Sequence, residues 1–308
     1  MQKNKVEGGY SGPPALVLVI SVLMIALMFL DLGAAPGHIS AYVLVIALHA
    51  VIFGIPSVLY LVLRGKSFSR SIKKGIIPRS AAGVVILGTL LLILQSCILK
   101  FGVFYFGYDY SAYTLYGSSF QVSASGVGEW ILMVLALAIV PAVTEEIVFR
   151  GIIFTDYRKC GFWCAATATS LLFAFIHFDF PQFLIYFLDG LLLAWIMFIS
   201  GTLLAPVIAH IIYNVFVLFL EKYIWLFSSN PDSEILFWLL LIALYLFILF
   251  LFIGVAEGHL RKLAEEEEFA PEKVSRDKLL GTFFRVFTAK PMLLEYAVFT
   301  VVAIISAL

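Results

Sequence analysis

The sequence predicts an all-α protein, a polytopic transmembrane helical bundle of eight spans, or nine if the last apolar run also crosses. Three observations predict it. Hydrophobic residues make up 62% of the 308 and charged residues 13%, against about 25% charged in an average soluble domain. The mean hydropathy is +1.04. Apolar runs long enough to cross a bilayer recur along the whole chain, with short polar gaps between them.

The spans are read at residues 14–33, 40–63, 81–106, 127–153, 161–178, 182–200, 202–220 and 234–256. The last run, 292–308, reaches only ~25 Å at helical rise and is marginal. Lys3 and Lys5 precede the first run, but Ala34-Ala35-Pro36 is a poor exit site and many spans follow, so this run is read as an uncleaved anchor. Lysines and arginines gather in the 64–80 loop, at Arg158 and Lys159, and in the 256–291 segment. With each run crossing once, these fall on the side of Lys3 and Lys5, so the N-terminus is expected in the cytoplasm and the protein in the cell (plasma) membrane. The opposite loop 107–126 is rich in Tyr and Ser, as interfacial segments are. Residues 1–126 are thus an N-terminal unit of helices and loops, 127–220 a core, and 221–308 a C-terminal span, polar segment and marginal last span. In 257–290, seven acids, four of them at 265–268, cancel seven bases, which reads as a solvated cytoplasmic helix plus an interfacial piece.

Several function classes are excluded or weakened. A net charge of zero gives no bulk attraction to nucleic acid. Cys97, Cys160 and Cys164 form no CxxC and no disulfide framework, and offer no Cys-rich zinc site. No internal repeat is seen, which weakens a transporter built from inverted halves.

The polar groups within spans are His49, Gln95, Lys100, Glu145, Glu146, Arg150, His177, Asp189, His210 and Asn214. Charges at that depth cost at least ~2.5–3.5 kcal/mol each and need partners. Glu146 and Arg150 are i and i+4, acid first, on one helical face, and can neutralise each other. Glu145 lies ~100° around the helix from Glu146 and ~140° from Arg150, so it has no evident local partner. A buried carboxyl without a partner suits general acid–base work near neutral pH. His210 and Asn214 share one face, and so do Phe173 and His177. His49 reads as a satisfied core histidine, and Asp189 as a cavity wall or an interhelical hydrogen bond. Cys160 and Cys164 read as small packing residues. Two His, one unpaired Glu and one Asn can activate a water, directly or through a metal held by Glu145, His177 and His210, and the Asn amide can stabilise an oxyanion.

Glu145-Glu146-Ile-Val-Phe-Arg150, Phe173-Ala-Phe-Ile-His177 and His210-Ile-Ile-Tyr-Asn214 follow one another as EExxxR, FxxxH and HxxxN in three hydrophobic segments. In this the chain resembles the CAAX protease and bacteriocin-processing (Abi) family of intramembrane proteases, over about residues 127–220. The resemblance implies a helical bundle around a water-filled intramembrane cavity, with Glu145 as the water-activating residue. It implies that Glu146 and Arg150 support that residue and that His177, His210 and Asn214 complete the site. The family has been classed both as metalloprotease and as metal-independent glutamate protease, so zinc stays open here as a cofactor. The expected function is intramembrane endopeptidase, acting on a membrane-associated peptide or lipidated protein substrate. The alternative is a non-catalytic family member serving as immunity factor or membrane scaffold. Membrane lipids are the other expected partner.

One difficulty follows from the spans. Sixteen residues into the fifth span, His177 would lie ~24 Å from the cytoplasmic side, deeper than Glu145 and His210 at ~12–15 Å. The break Asp179-Phe180-Pro181 resolves this if the helix ends inside the protein, with His177 near its C-terminal end.

Overall fold

The computed structural model describes residues 3–28, 38–65, 75–105, 126–228, 234–265 and 276–307. Among the described residues the regular elements are all helices: α1 (Lys3–Met28), α2 (Ala41–Leu63), α3 (Arg79–Tyr105), α4 (Val127–Cys160), α5 (Phe162–Phe175), α6 (Phe183–Ser200), α7 (Leu204–Phe219), α8 (Glu221–Ser228), α9 (Glu234–Glu265), α10 (Arg276–Phe287) and α11 (Lys290–Ala307). The all-α polytopic bundle is what the structure shows. The Tyr- and Ser-rich loop 107–126 falls, but for Gly126, outside the described residues, as do residues 266–268 of the acidic run and much of the basic 64–80 loop.

Six of these helices are long and apolar enough to cross a membrane, or seven if the bent pair α10–α11, broken by 53°, counts as one span. The difference from eight lies mainly in α5 and α7. They are 14 and 16 residues long, about 21 and 24 Å at helical rise, against a hydrocarbon core of about 30 Å. Helix α5 is largely interior, and α7 is buried in its first half, from Ala205 to His210. On α5, Ala165, Ala166, Ala168, Leu172 and Ala174 are completely buried. Small side chains let neighbouring backbones come close where hydrophobicity alone cannot distinguish protein from lipid. Helices α4, α6 and α11 pack around α5. Helix α9 is the opposite case. Leu236, Leu240, Phe247 and Phe250 are exposed along it, which in a bilayer is a lipid-facing surface.

Helix α4 carries the two carboxylates and is not a regular α-helix. Its hydrogen-bond ladder widens to π spacing at Leu135–Ile139 and again at Ile147–Phe154. The first widening precedes Pro141, and a similar one at Ala50–Gly54 in α2 precedes Pro56. Proline has no N–H to donate and its ring crowds the preceding turn, so the ladder shifts just before it. The second widening has no proline and contains Arg150.

Polar ties between helices hold the bundle in register. Tyr60 of α2 donates to Asp156 of α4 at 2.7 Å, with Arg64 3.6 Å from the same carboxylate. Lys100 of α3 meets Glu221 of α8 at 2.6 Å, nearly buried. His49 is buried, bonded to the Val45 carbonyl and stacked on Phe53, as expected of a satisfied core histidine. Cys160 and Cys164 are buried free thiols.

Candidate active site

The centre of the site is a buried ion pair and a histidine that joins it from another helix. Arg150 Nη1 donates to Glu146 Oε1 at 2.8 Å, within one turn of α4, and both side chains are 0% exposed. This is the pair that the i, i+4 spacing predicts. The Arg150 guanidinium also lies over the Phe173 ring at 4.7 Å, and its Nη2 donates to the Gly190 carbonyl of α6 at 3.0 Å. His210 of α7 brings Nδ1 to 2.9 Å from the same Glu146 Oε1. A carboxylate oxygen that accepts can draw the proton to Nδ1 and leave Nε2 facing the other way.

It faces Glu145. The distance from His210 Nε2 to Glu145 Oε2 is 4.0 Å, too long for a direct hydrogen bond. Glu145 is 8% exposed, so it is the carboxylate of the pair with some access. The two neighbouring acids therefore have different tasks open to them. Glu146 Oε1 lies within hydrogen-bond distance of both Arg150 Nη1 and His210 Nδ1, whereas Glu145 faces an imidazole nitrogen beyond that distance.

Helix α5 ends at Phe175, and His177 lies in the turn just beyond it. This is the position expected from the depth argument. Phe178 follows with φ 51°, the left-handed region that non-glycine residues rarely adopt, and so stops the helix there. Asp179 then accepts from the Gln182 backbone N–H at 2.9 Å and from its side-chain amide at 2.8 Å, in the turn that leads into α6. The ring of Phe173 joins these parts. Its centroid is 4.8 Å from His177, 6.1 Å from His210 and 5.2 Å from Phe149.

Asn214 stands one turn beyond His210 on α7. Its amide donates to the Ala138 carbonyl of α4 at 3.2 Å, within the first widened stretch, rather than to either carboxylate. Asp189 lies outside the cluster and accepts from Gln95 of α3 at 2.8 Å; the Gln95 amide oxygen accepts from Tyr245 of α9 at 3.3 Å. This is the interhelical hydrogen bond that the sequence allowed.

Sequence reasoning passed over two residues. Gly190 supplies a carbonyl to Arg150, and a Cβ on it would stand 3.0 Å from Ser170 Cβ and 3.1 Å from Ser170 Cα. A glycine inside an apolar helix, next to a buried acid, was the available signal. Tyr186, one turn into α6, stacks on His177 with centroids 3.8 Å apart. Nothing in the spacing of Tyr186 pointed to the site.

Among the described residues no group of three His, Cys, Asp or Glu is placed to hold a metal ion. Glu145, His177 and His210 thus do not form a ready three-ligand set in this arrangement.

A family model falls on this region, and two relatives match part of the chain. Residues 127–216 match the family model described as type II CAAX prenyl endopeptidase Rce1-like. The chain is 33% identical over 91 residues to "Putative membrane peptidase YdiL" of Bacillus subtilis, covering 29% of this chain and 37% of that protein. It is 30% identical over 109 residues to "Membrane-embedded CAAX protease MroQ" of Staphylococcus aureus, covering 33% of this chain and 42% of that protein. The matched part therefore spans about two-fifths of the length of these relatives. No solved structure matches the chain. All three motifs, from Glu145 to Asn214, fall inside residues 127–216, and it is in this segment that the chain is similar to the Rce1-like CAAX protease family.

Proposed function

We propose that this protein is an intramembrane endopeptidase in which Glu145 activates the water that attacks a peptide carbonyl. The observation that carries the proposal is the division of labour between adjacent carboxylates. Glu146 is held by Arg150 and His210, while Glu145 faces His210 Nε2 across 4.0 Å. Two hydrogen bonds of about 2.8 Å to one water, meeting at a bent angle, span about that distance.

The charges of the cluster support the same reading. With both carboxylates ionised against Arg150, one negative charge is in excess, and one proton shared between Glu145 and His210 Nε2 cancels it. With that proton on His210, Glu145 takes a proton from the water as its oxygen bonds to the carbonyl carbon. His210 Nε2–H then donates to the developing oxyanion, where fixed donors in a low dielectric act most strongly. Asn214 keeps one amide hydrogen beyond its bond to Ala138 for the same purpose. As the tetrahedral intermediate collapses, Glu145 returns its proton to the leaving amine and the C–N bond breaks. Because three ligands are not gathered here, no step is assigned to a metal; zinc, if bound, would supply Lewis-acid polarisation of the water or carbonyl.

The substrate class is proposed by similarity: a membrane-associated peptide or lipidated tail, reached from the lipid or from the cytoplasmic side. The cytoplasmic N-terminus and the cell membrane location belong to the same proposal, on the strength of the Lys and Arg distribution. The test is cleavage of a fluorogenic prenylated peptide and a peptide panel by protein purified in detergent, with and without a strong chelator. Activity lost in Glu145→Gln and kept in chelator supports the carboxylate mechanism. Activity lost in chelator and restored by zinc transfers the water to a metal. Full activity in Glu145→Gln overturns the proposal.

A further inference from the structure

We infer that Tyr186 is a positioning residue that sets the ring plane and tautomer of His177. The inference rests on the peptidase reading only for its kinetic arm. Three contacts fix the imidazole. Its Nδ1 lies 2.7 Å from the Phe173 carbonyl oxygen. That oxygen can only accept, so Nδ1 carries the hydrogen and Nε2 keeps its lone pair. The edge of the Phe173 ring meets it at 4.8 Å and 63°. Its face lies on Tyr186 at 3.8 Å, with the planes 19° apart.

The connector explains why the third contact is needed. His177 follows the end of α5 and is not held inside a regular turn of helix. The left-handed Phe178 turns the chain, and the Asp179–Gln182 hydrogen bonds hold the turn that leads into α6. Tyr186 sits on the first turn of α6, its N–H bonded to the Gln182 carbonyl at 3.1 Å. The phenol ring is therefore mounted on a regular helix, while the imidazole is mounted on a turn. Stacking transfers the rigidity of the first to the second. Without the ring, the imidazole is free to rotate about χ2 and carry Nδ1 off the Phe173 carbonyl; once that acceptor is lost, the Nε2–H tautomer is populated too and presents an N–H to the site in place of a lone pair.

The experiment reads the tautomer directly. The chain has five histidines, so 15N-histidine labelling gives a tractable spectrum, with His177 assigned by its loss in His177→Gln. Wild type is expected to show the Nδ1–H form of His177. Tyr186→Phe should keep that form, and Tyr186→Leu should give a mixture. Tyr186→Met, which also lacks a ring, repeats the test if the leucine variant unfolds. In the peptide assay the ring-less variant should lose about tenfold or more in kcat while KM stays within about threefold, and Tyr186→Phe should restore kcat. An Nε2–H form in wild type, or an unchanged tautomer in the ring-less variant, overturns the inference. The spectra stand even if no peptide is cleaved, which would count against the peptidase reading alone.

Discussion

Glu145 and Glu146 are neighbours in the chain and differ in what surrounds them. Glu146 is wholly buried and shares one oxygen between Arg150 and His210. Removing a partner from such a pair leaves a charge without compensation at a depth where water cannot reach it. Arg150→Leu is therefore expected to destabilise the protein by about 3–5 kcal/mol, read as the loss of unfolding temperature in detergent. Glu145→Gln should behave in the opposite way. It should leave the unfolding temperature near wild type and reduce peptide cleavage by at least about 100-fold, the lower range for a lost general base. Should Glu145→Gln unfold the protein while Glu146→Gln spares it, the assignment of roles would be reversed.

At the scale of elements, the approach of α5 to α6 decides whether Arg150 finds its third contact. Ser170 and Gly190 touch with no room for a methyl group. Gly190→Ala should push the helices apart and cost about 1–3 kcal/mol, as overpacking does, with a loss of activity as the Arg150 acceptor moves. Adding Ser170→Gly removes the nearest side-chain atoms and should recover part of both, measured by unfolding temperature and cleavage together. Equal behaviour of the single and double variants would show that the contact is not limiting. The Lys100–Glu221 pair ties α3 to α8 in the same manner. Lys100→Met should destabilise the protein more than Arg261→Met, whose pair with Glu257 on α9 is exposed.

For the whole molecule, the charge distribution and the helix lengths make one joint statement about topology. If α3 crosses once, Arg79 and Gly126 emerge on opposite sides. Cys97, Cys160 and Cys164 are buried, so they should add little background to thiol labelling. Arg79→Cys should react with an impermeant reagent only after cells are opened, and Gly126→Cys in intact cells. Labelling of both from outside would refute the proposed orientation.

The sequence by itself determined the class and much of the parts list. Hydropathy showed an all-helical membrane protein because apolar length is a property of one segment. The i, i+4 spacing showed the Glu146–Arg150 pair because both residues lie on one helix. The proline break showed that His177 stands at a helix end. Only the tertiary structure decided that His210 bonds to Glu146 and merely faces Glu145, and that Asn214 turns to Ala138. It alone showed that α5 and α7 are shorter than the candidate spans, and that Gly190 meets Arg150 and Tyr186 meets His177. The physical reason is the same each time. Periodicity tells which residues share a face of one helix, whereas the rotation and sliding of one helix against another depend on side chains contributed by all of its neighbours.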